Sequence, residues 1–260
     1  MRPMFSYMGS KWRLAKKYGP PQTNLVIEPF AGGACYSLYW NAPKVILYDL
    51  NPYIAGIWQY LIKAKESEIL SLPIDFESTD DLQIPQEAKW LIGFWITKGN
   101  TNPNKTRSAW ARKYRNAGTC VVWTEQARAR VAKQTAHIRD WKCYCSDYRE
   151  CLDVEADWFI DPPYSVAGKS YKFSDIDYTQ LAQFCLNRQG RITVCENEGA
   201  TWMPFTPFAS VAGTHGKDRT GVSHEVVYQK ELAEVRAVLN PTEPPPRISV
   251  SDSISNYDGS

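Results

Sequence analysis

Long apolar runs are missing from this sequence of 260 residues. No uncharged run reaches the roughly 18 residues that a membrane-spanning helix needs, and the best stretch, residues 29–43, is interrupted by Gly and Pro. We therefore expect no membrane segment. The N-terminus is basic but no apolar region follows it, so we also expect no signal peptide.

Paired cysteines and clustered histidines are missing as well. The seven cysteines include no C-x-x-C pair, and the three histidines lack the spacing of metal ligands. The sequence thus predicts no metal site, reduced thiols and a cytoplasmic location. Hydrophobic residues make up 43% of the chain, which is ample for a buried core, so most of the chain should fold.

Positive charge is concentrated in one segment. The net charge of the chain is +2, yet residues 98–142 hold eleven Lys and Arg against two acidic residues, a local charge of +9. Trp110, Tyr114 and Trp123 are interspersed among them. A solvated helical face is the alternative, but acidic and basic residues would then alternate along it. The pattern favours contact with nucleic-acid phosphates.

Short β-branched runs alternate with helical patterns. They predict strands over residues 24–28, 44–49, 158–161, 191–196, 208–213 and 225–230, and helices over about 52–70 and 124–139. This order predicts an α/β fold with a doubly wound, mostly parallel mixed sheet that ends in a C-terminal antiparallel hairpin. Residues 241–260 are rich in Pro and Ser and are predicted to be a disordered tail.

The sharpest motif is Asp161-Pro162-Pro163-Tyr164, directly after the apolar residues 158–160. Two consecutive prolines stop the strand and remove two N–H donors, so Asp161 and the nearby carbonyls can face a cleft. These acceptors suit the two hydrogens of an exocyclic amine, with the Tyr164 ring stacked on the attached base. An ordinary turn is the alternative, because Asp-Pro is common in turns.

Two other predicted strands also end in a carboxylate. Glu28 begins the turn Glu28-Pro29-Phe30-Ala31-Gly32-Gly33, whose glycines let the backbone approach a ligand closely. Asp49 is placed to accept the hydroxyls of a ribose, as acidic residues at strand ends do in dinucleotide-binding folds. Alternatively, Asp49 is a carboxylate favoured by the N-terminus of the next helix.

In type and order these motifs resemble those of Dam-type (D12 class) DNA adenine-N6 methyltransferases. Two more segments support the resemblance, Phe5-Ser6-Tyr7-Met8-Gly9-Ser10-Lys11 and Ser146-Asp147-Tyr148-Arg149-Glu150. It covers about residues 5–230 and implies a Rossmann-like methyltransferase fold. Residues 1–62 and 141–240 would form the catalytic domain, and residues 63–140 an inserted, mostly helical module that recognises the target DNA.

The resemblance implies transfer of a methyl group from S-adenosylmethionine to N6 of a flipped-out adenine in double-stranded DNA. Asp161, Pro162 and Tyr164 would be catalytic. The residues implied to bind S-adenosylmethionine are Tyr7, Lys11, Glu28, Phe30, Gly32, Asp49, Asp147, Tyr148 and Asp161. The residues expected to bind DNA are Lys105, Arg107, Arg112, Lys113, Arg115 and Lys169. We expect a monomer that acts in a bacterial cell, whether as a restriction partner, a solitary enzyme or a phage enzyme.

Position 161 separates the alternatives. N4-cytosine DNA methyltransferases usually carry Ser there, and protein-glutamine and ribosomal RNA methyltransferases usually carry Asn, so Asp161 favours adenine. A catalytically inactive DNA-binding relative is the remaining alternative, although both Asp49 and Asp161 are present. Ala34 departs from the family's usual Phe-x-Gly-x-Gly pattern at its second Gly, which puts the affinity for the cofactor in question.

Overall fold

The computed structural model describes residues 1–97, 99–115, 120–166, 171–212 and 222–232. The strands are β1 Leu25–Glu28, β2 Lys44–Tyr48, β3 Lys142–Tyr144, β4 Ala156–Ile160, β5 Gly190–Asn197, β6 Thr206–Ala212 and β7 Val222–Lys230. The α-helices are α1 Cys35–Trp40, α2 Pro52–Lys63, α3 Glu66–Leu70, α4 Gln86–Trp95, α5 Ala109–Tyr114, α6 Glu125–Gln134 and α7 Tyr178–Leu186. Short 3-10 turns occupy Lys11–Arg13, Thr79–Asp81, Thr135–Ile138 and Tyr148–Glu150.

The strands form one seven-stranded sheet in the order β3-β2-β1-β4-β5-β7-β6. The first five strands of this order are parallel, whereas β7 pairs antiparallel with both β5 and β6. The chain winds outward in opposite directions from β1 and β4, so the topological switch point lies between these two strands. Ligands of such sheets bind at the carboxyl ends of the strands beside that point. The mixed α/β architecture with a mostly parallel seven-stranded sheet is consistent with the methyltransferase-like fold that the resemblance implies.

Both faces of the sheet are covered, and the side chains alternate between them. In β2, Val45 and Leu47 point into one hydrophobic cluster, whereas Ile46 and Tyr48 point into the other. The first cluster also contains residues of α2, α4 and α6, and the second contains Leu181 of α7. Burial on both faces explains why β4 is apolar almost throughout.

The predicted strands are all present within a few residues, but the helix predicted over residues 52–70 is divided. Asn51 caps its start, with its side chain accepting the N–H of Tyr53, and Ala64 ends α2 in an extended conformation. The guanidinium of Arg139 donates hydrogen bonds to the carbonyls of Ile62 and Ala64. Those carbonyls are therefore occupied, and the chain turns before α3 begins.

The described residues of the segment 63–140 share their hydrophobic core with the sheet. Leu91 and Phe94 of α4 and Val131 of α6 are fully buried in the same cluster as Val26 of β1 and Leu47 of β2. The sequence patterns did not predict α4, α5 or β3, because Pro, Gly and Asn surround α4 and α5 and because β3 has only three residues. The predicted tail lies outside the described residues.

Candidate active site

The carboxyl ends of β1, β2 and β4 open into a cavity of about 1700 Å³. The residues that the sequence predicted to be catalytic or to bind the cofactor all line it, namely Tyr7, Lys11, Glu28, Phe30, Gly32, Asp49, Asp147, Tyr148, Asp161, Pro162 and Tyr164. The parallel register brings these separate motifs together, because the strands that carry them end at the same edge of the sheet.

Asp161 forms an ion pair with Lys11, in which Nζ lies 2.9 Å from Oδ1. Lys11 is buried, also donates to the carbonyl of Gly9, and lies 4.8 Å from the centre of the Tyr164 ring. Burial alone would lower the pKa of Lys11, but the carboxylates of Asp161 and Glu225 outweigh that effect and raise it. Burial raises the pKa of Asp161, and the Lys11 ammonium opposes part of this rise. Lys11 is therefore a charged partner that fixes Asp161.

Two glutamates fix the segment that follows Asp161. The hydroxyl of Tyr164 donates to Oε2 of Glu225 at 2.5 Å, and Glu225 is buried on β7. The N–H of Ser165 donates to Oε1 of Glu196 at 2.6 Å, and Glu196 is fully buried at the end of β5. Burial, followed by the charge of Asp161, raises the pKa of Tyr164 far above its usual range, so its hydroxyl keeps its proton.

Asp49 is held by two backbone N–H groups, one from the turn after β1 and one from the residue that caps α2. Its Oδ2 accepts the N–H of Gly32 and its Oδ1 accepts the N–H of Asn51, each at 2.9 Å. Burial raises the pKa of Asp49 to about 6, and the two backbone hydrogen bonds lower it. A carboxylate has about four acceptor positions, so two remain for hydroxyl groups of a ligand.

The turn after β1 brings the backbone close to the ring of Tyr7. A Cβ atom on Gly32, which has a φ of +44°, would lie 3.2 Å from that ring. Ala34 has the same φ of 44°, in the left-handed region where alanine is strained and glycine is not. The departure from the family pattern therefore falls where the backbone favours glycine, yet this turn still forms.

Glu28 serves the architecture of this turn. It is 2% exposed, and its Oε1 accepts the N–H and the hydroxyl of Ser37 at 3.0 and 2.5 Å. Burial raises the pKa of Glu28 to about 8, and the hydrogen bonds from Ser37 lower it. Glu28 thus ties the end of β1 to α1 at the floor of the cavity.

An aromatic wall borders the cavity beyond β1. The rings of Phe30 and Tyr148 have centroids 5.5 Å apart and planes inclined by 31°. Asp147 accepts the N–H of Arg149 and forms an ion pair with its side chain at 2.7 Å, which lowers the pKa of Asp147 against the effect of burial. The contacts with Arg149 occupy much of the acceptor capacity of the Asp147 carboxylate. The rings of Phe30 and Tyr148 could hold the flat ring of a ligand.

The basic residues predicted to bind DNA lie elsewhere, and the prediction for Arg107 is at odds with its position. Arg107 is 6% exposed, donates to the carbonyls of Ile74 and Trp123, and packs on the ring of Phe76. Its guanidinium is therefore engaged within the fold, because a buried group bonded to backbone carbonyls is not available to a phosphate.

The other four described residues of this group are exposed. Lys105 pairs with Asp80 and Arg115 with Asp75, whereas Arg112 donates to the carbonyl of Arg107. None of the five described residues of this group lines the cavity. Lys169 lies outside the described residues.

Sequence reasoning missed Glu225. Its signal was weak: an acidic residue beside Val226 and Val227 in a predicted strand, where an apolar or solvent-facing residue is expected. Only the antiparallel pairing of β7 with β5, which sets Glu225 opposite Asn197, brings it under Tyr164.

Among the described residues no group of His, Cys, Asp and Glu could hold a metal ion, and no helix there is long and apolar enough to cross a membrane.

A sequence model of the D12 class N6 adenine-specific DNA methyltransferase family matches residues 7–88. This range contains Tyr7, Lys11, the turn after Glu28 and Asp49, and ends before Asp161. The resemblance inferred from the motifs is thereby confirmed, and the match indicates a DNA methyltransferase.

Two further comparisons add little to this match. No curated protein matches the chain in sequence. A solved structure described as a conserved hypothetical protein from Streptococcus pyogenes is similar over 80% of this chain and 86% of its own, with 12% identity and a TM-score of 0.34. A likeness that low supports no conclusion about the chain.

Proposed function

We propose that the chain is a DNA methyltransferase that transfers a methyl group from S-adenosylmethionine to N6 of adenine in duplex DNA. The observation that carries this proposal is a single cavity in which the Asp161-Pro162-Pro163-Tyr164 segment faces Asp49 and the Gly32 turn. The family match to residues 7–88 also supports it. The matched range contains Asp49 and the Gly32 turn and ends before Asp161.

The residues around Asp49 suit S-adenosylmethionine. Asp49 has two acceptor positions left for the ribose hydroxyls, and the wall of Phe30 and Tyr148 is flat enough for the adenine ring. A side chain at Gly32 would be tight against Tyr7 and strained by the positive φ, so glycine here would let a ligand meet the backbone. When bound, this cofactor supplies an activated sulfonium methyl, so the chain need not generate a strong nucleophile.

The chain's own contribution is to orient the amine and to stabilise charge. Asp161 and the Pro162 carbonyl would accept the two N6 hydrogens, which directs the nitrogen lone pair away from them. The amine becomes positively charged as it is methylated and returns to neutral when one N6 proton is lost. Lys11 interacts with both Asp161 and Glu225, and these three described groups together carry one net negative charge. Tyr164, held by Glu225, would stack on the flipped base.

Duplex DNA would be held partly by the exposed basic residues of the segment 98–142. Arg112 and Lys113 form no ion pair with a carboxylate that the structure describes. The pairs of Lys105 and Arg115 are exposed, and such pairs are weak enough to be exchanged for phosphate contacts.

Incubation of the purified chain with labelled S-adenosylmethionine and unmethylated DNA tests the proposal. We expect label in the DNA, and N6-methyladenine after hydrolysis to nucleosides. N4-methylcytosine would establish the alternative amino-methyltransferase. Binding of DNA without any transfer of label would establish the inactive DNA-binding relative.

A further inference from the structure

Three arginines line the cavity, and the sequence patterns named none of them individually as a DNA-binding residue, although Arg130 belongs to the basic segment 98–142. Arg2 lies in the N-terminal segment, Arg13 in the 3-10 turn that contains Lys11, and Arg130 in α6, and all three line the cavity that contains Asp161. Arg2 and Arg13 are exposed and Arg130 is half-buried. These three residues are called the arginine edge below.

The arginine edge is fixed relative to Asp161 by packing. The guanidinium of Arg2 lies 5.8 Å from the ring of Trp12, and the backbone N–H of Arg2 donates to the side chain of Gln134 in α6. Trp12 lies between Lys11 and Arg13 in one turn, so the turn that directs Lys11 towards Asp161 also carries Arg13, which is exposed and lines the cavity. Arg130 packs on Trp95 at 5.1 Å.

The positive charge of the arginine edge is not neutralised. None of its members forms an ion pair with a described carboxylate. Burial lowers the pKa of Arg130, and the neighbouring charge of Arg2 lowers it further. The charges of Arg2 and Arg130 therefore act on each other, and unneutralised cations at a cavity favour binding of an anion.

We propose that Arg2, Arg13 and Arg130 bind the sugar-phosphate backbone of duplex DNA at the mouth of the cavity. The inference rests on the proposed function and deepens it by locating the DNA. A base that enters the cavity from a duplex remains attached to its own backbone, so the flanking phosphates must lie at the mouth. The planar guanidinium group of arginine bonds two phosphate oxygens at once, which suits this position.

The test compares two double variants that each remove two positive charges. Arg2→Gln with Arg13→Gln alters the arginine edge, and Arg130 is kept because it packs on Trp95. The matched control is Lys44→Gln with Lys63→Gln, two exposed lysines at the start of β2 and the end of α2. Lys44 lies at the amino end of β2. The helix α2 starts at the carboxyl end of that strand and runs back, so Lys63 at its end also lies at the amino edge of the sheet, opposite the cavity. Binding of a mixed-sequence duplex is measured as a function of salt concentration.

The expected result is a flatter salt dependence for the arginine-edge variant alone. Each phosphate contact contributes about −0.9 to the slope of log affinity against log salt, so two lost contacts should flatten it by about 1.8. Equal slopes for this variant, the control and the wild type would overturn the inference, as would equal flattening in both variants. If the wild-type chain binds and methylates duplex DNA but the slopes are equal, the proposed function stands and only the role of the arginine edge is overturned. If the wild-type chain binds no duplex DNA, both the proposed function and the role of the arginine edge are overturned. Thermal unfolding of each variant checks that it folds.

Discussion

The hydroxyl of Tyr164 donates a hydrogen bond of 2.5 Å to the carboxylate of Glu225. Tyr164 follows the end of β4, and Glu225 lies in β7, which pairs antiparallel with β5. This bond fixes the ring that would stack on the target base and places a second carboxylate near Asp161. The two roles, orientation and charge, can be separated by mutation.

Glu225→Gln keeps an acceptor for Tyr164 but removes one negative charge from the cavity. We expect kcat for methyl transfer to fall by about tenfold, on the scale of one partly screened charge acting on a cationic transition state. Tyr164→Phe is the matched variant, since it removes the hydrogen bond and keeps both ring and charge, and its kcat should fall less. A larger loss in Tyr164→Phe would show that orientation by the hydrogen bond matters more than charge.

Asp161→Ala should reduce turnover by at least about a hundredfold, the effect of losing an oriented hydrogen bond in the transition state, while DNA binding stays largely intact. The structure adds a second effect, because Lys11 would lose its partner while buried. Unfolding free energy should fall by about 2–3 kcal/mol, somewhat less than for a wholly buried pair.

The double variant Asp161→Ala with Lys11→Met separates these two effects of the Asp161 substitution. Its unfolding midpoint should recover towards that of the wild type, because the unpaired ammonium is gone, whereas turnover should stay low. Turnover of Asp161→Ala within about threefold of the wild type would contradict the assigned role of Asp161.

Asp49→Ala should weaken binding of S-adenosylmethionine by about 1.5–3 kcal/mol, the range for hydrogen bonds to a charged group. The ionised carboxylate is the better acceptor, and the pKa of Asp49 is about 6. Affinity should therefore fall as the pH falls through about 6. Calorimetry across this range measures both effects, and Asp49→Asn, which cannot titrate, should lose the pH dependence. An affinity that Asp49→Ala leaves unchanged would make Asp49 a purely structural carboxylate.

Glu28 should make folding stability depend on pH. Its pKa in the folded chain is about 8, above its value of 4.5 in an unfolded chain, so the folded state binds the extra proton between these values. Stability should fall as the pH rises through this window, by up to about 1.4 kcal/mol per pH unit. Glu28→Gln keeps acceptors for Ser37 and should flatten the dependence. An identical pH profile in denaturant unfolding of both proteins would show that Glu28 does not titrate there.

The sequence by itself determined where the chemistry lies along the chain. The β-branched runs that end in Glu28, Asp49 and Asp161 predicted parallel strands whose carboxyl ends meet, and in the structure those residues line one cavity. Such predictions succeed because strand propensity, turn chemistry and the side-chain alternation of a sheet are local properties. The last carbonyls before the break between α2 and α3 are bound by Arg139, more than seventy residues away, and a local pattern cannot show that contact.

Only the tertiary structure decided which charges face the cavity. Counting lysines and arginines pointed to Arg107, but that guanidinium is buried and bonded to the carbonyls of Ile74 and Trp123, whereas Arg2 and Arg13 line the cavity. Glu225 likewise meets Tyr164 only through the pairing of β7 with β5. A residue's charge is a property of the sequence, but its partners are set by long-range packing, and these partners determine whether the charge supports the fold or remains available to a ligand.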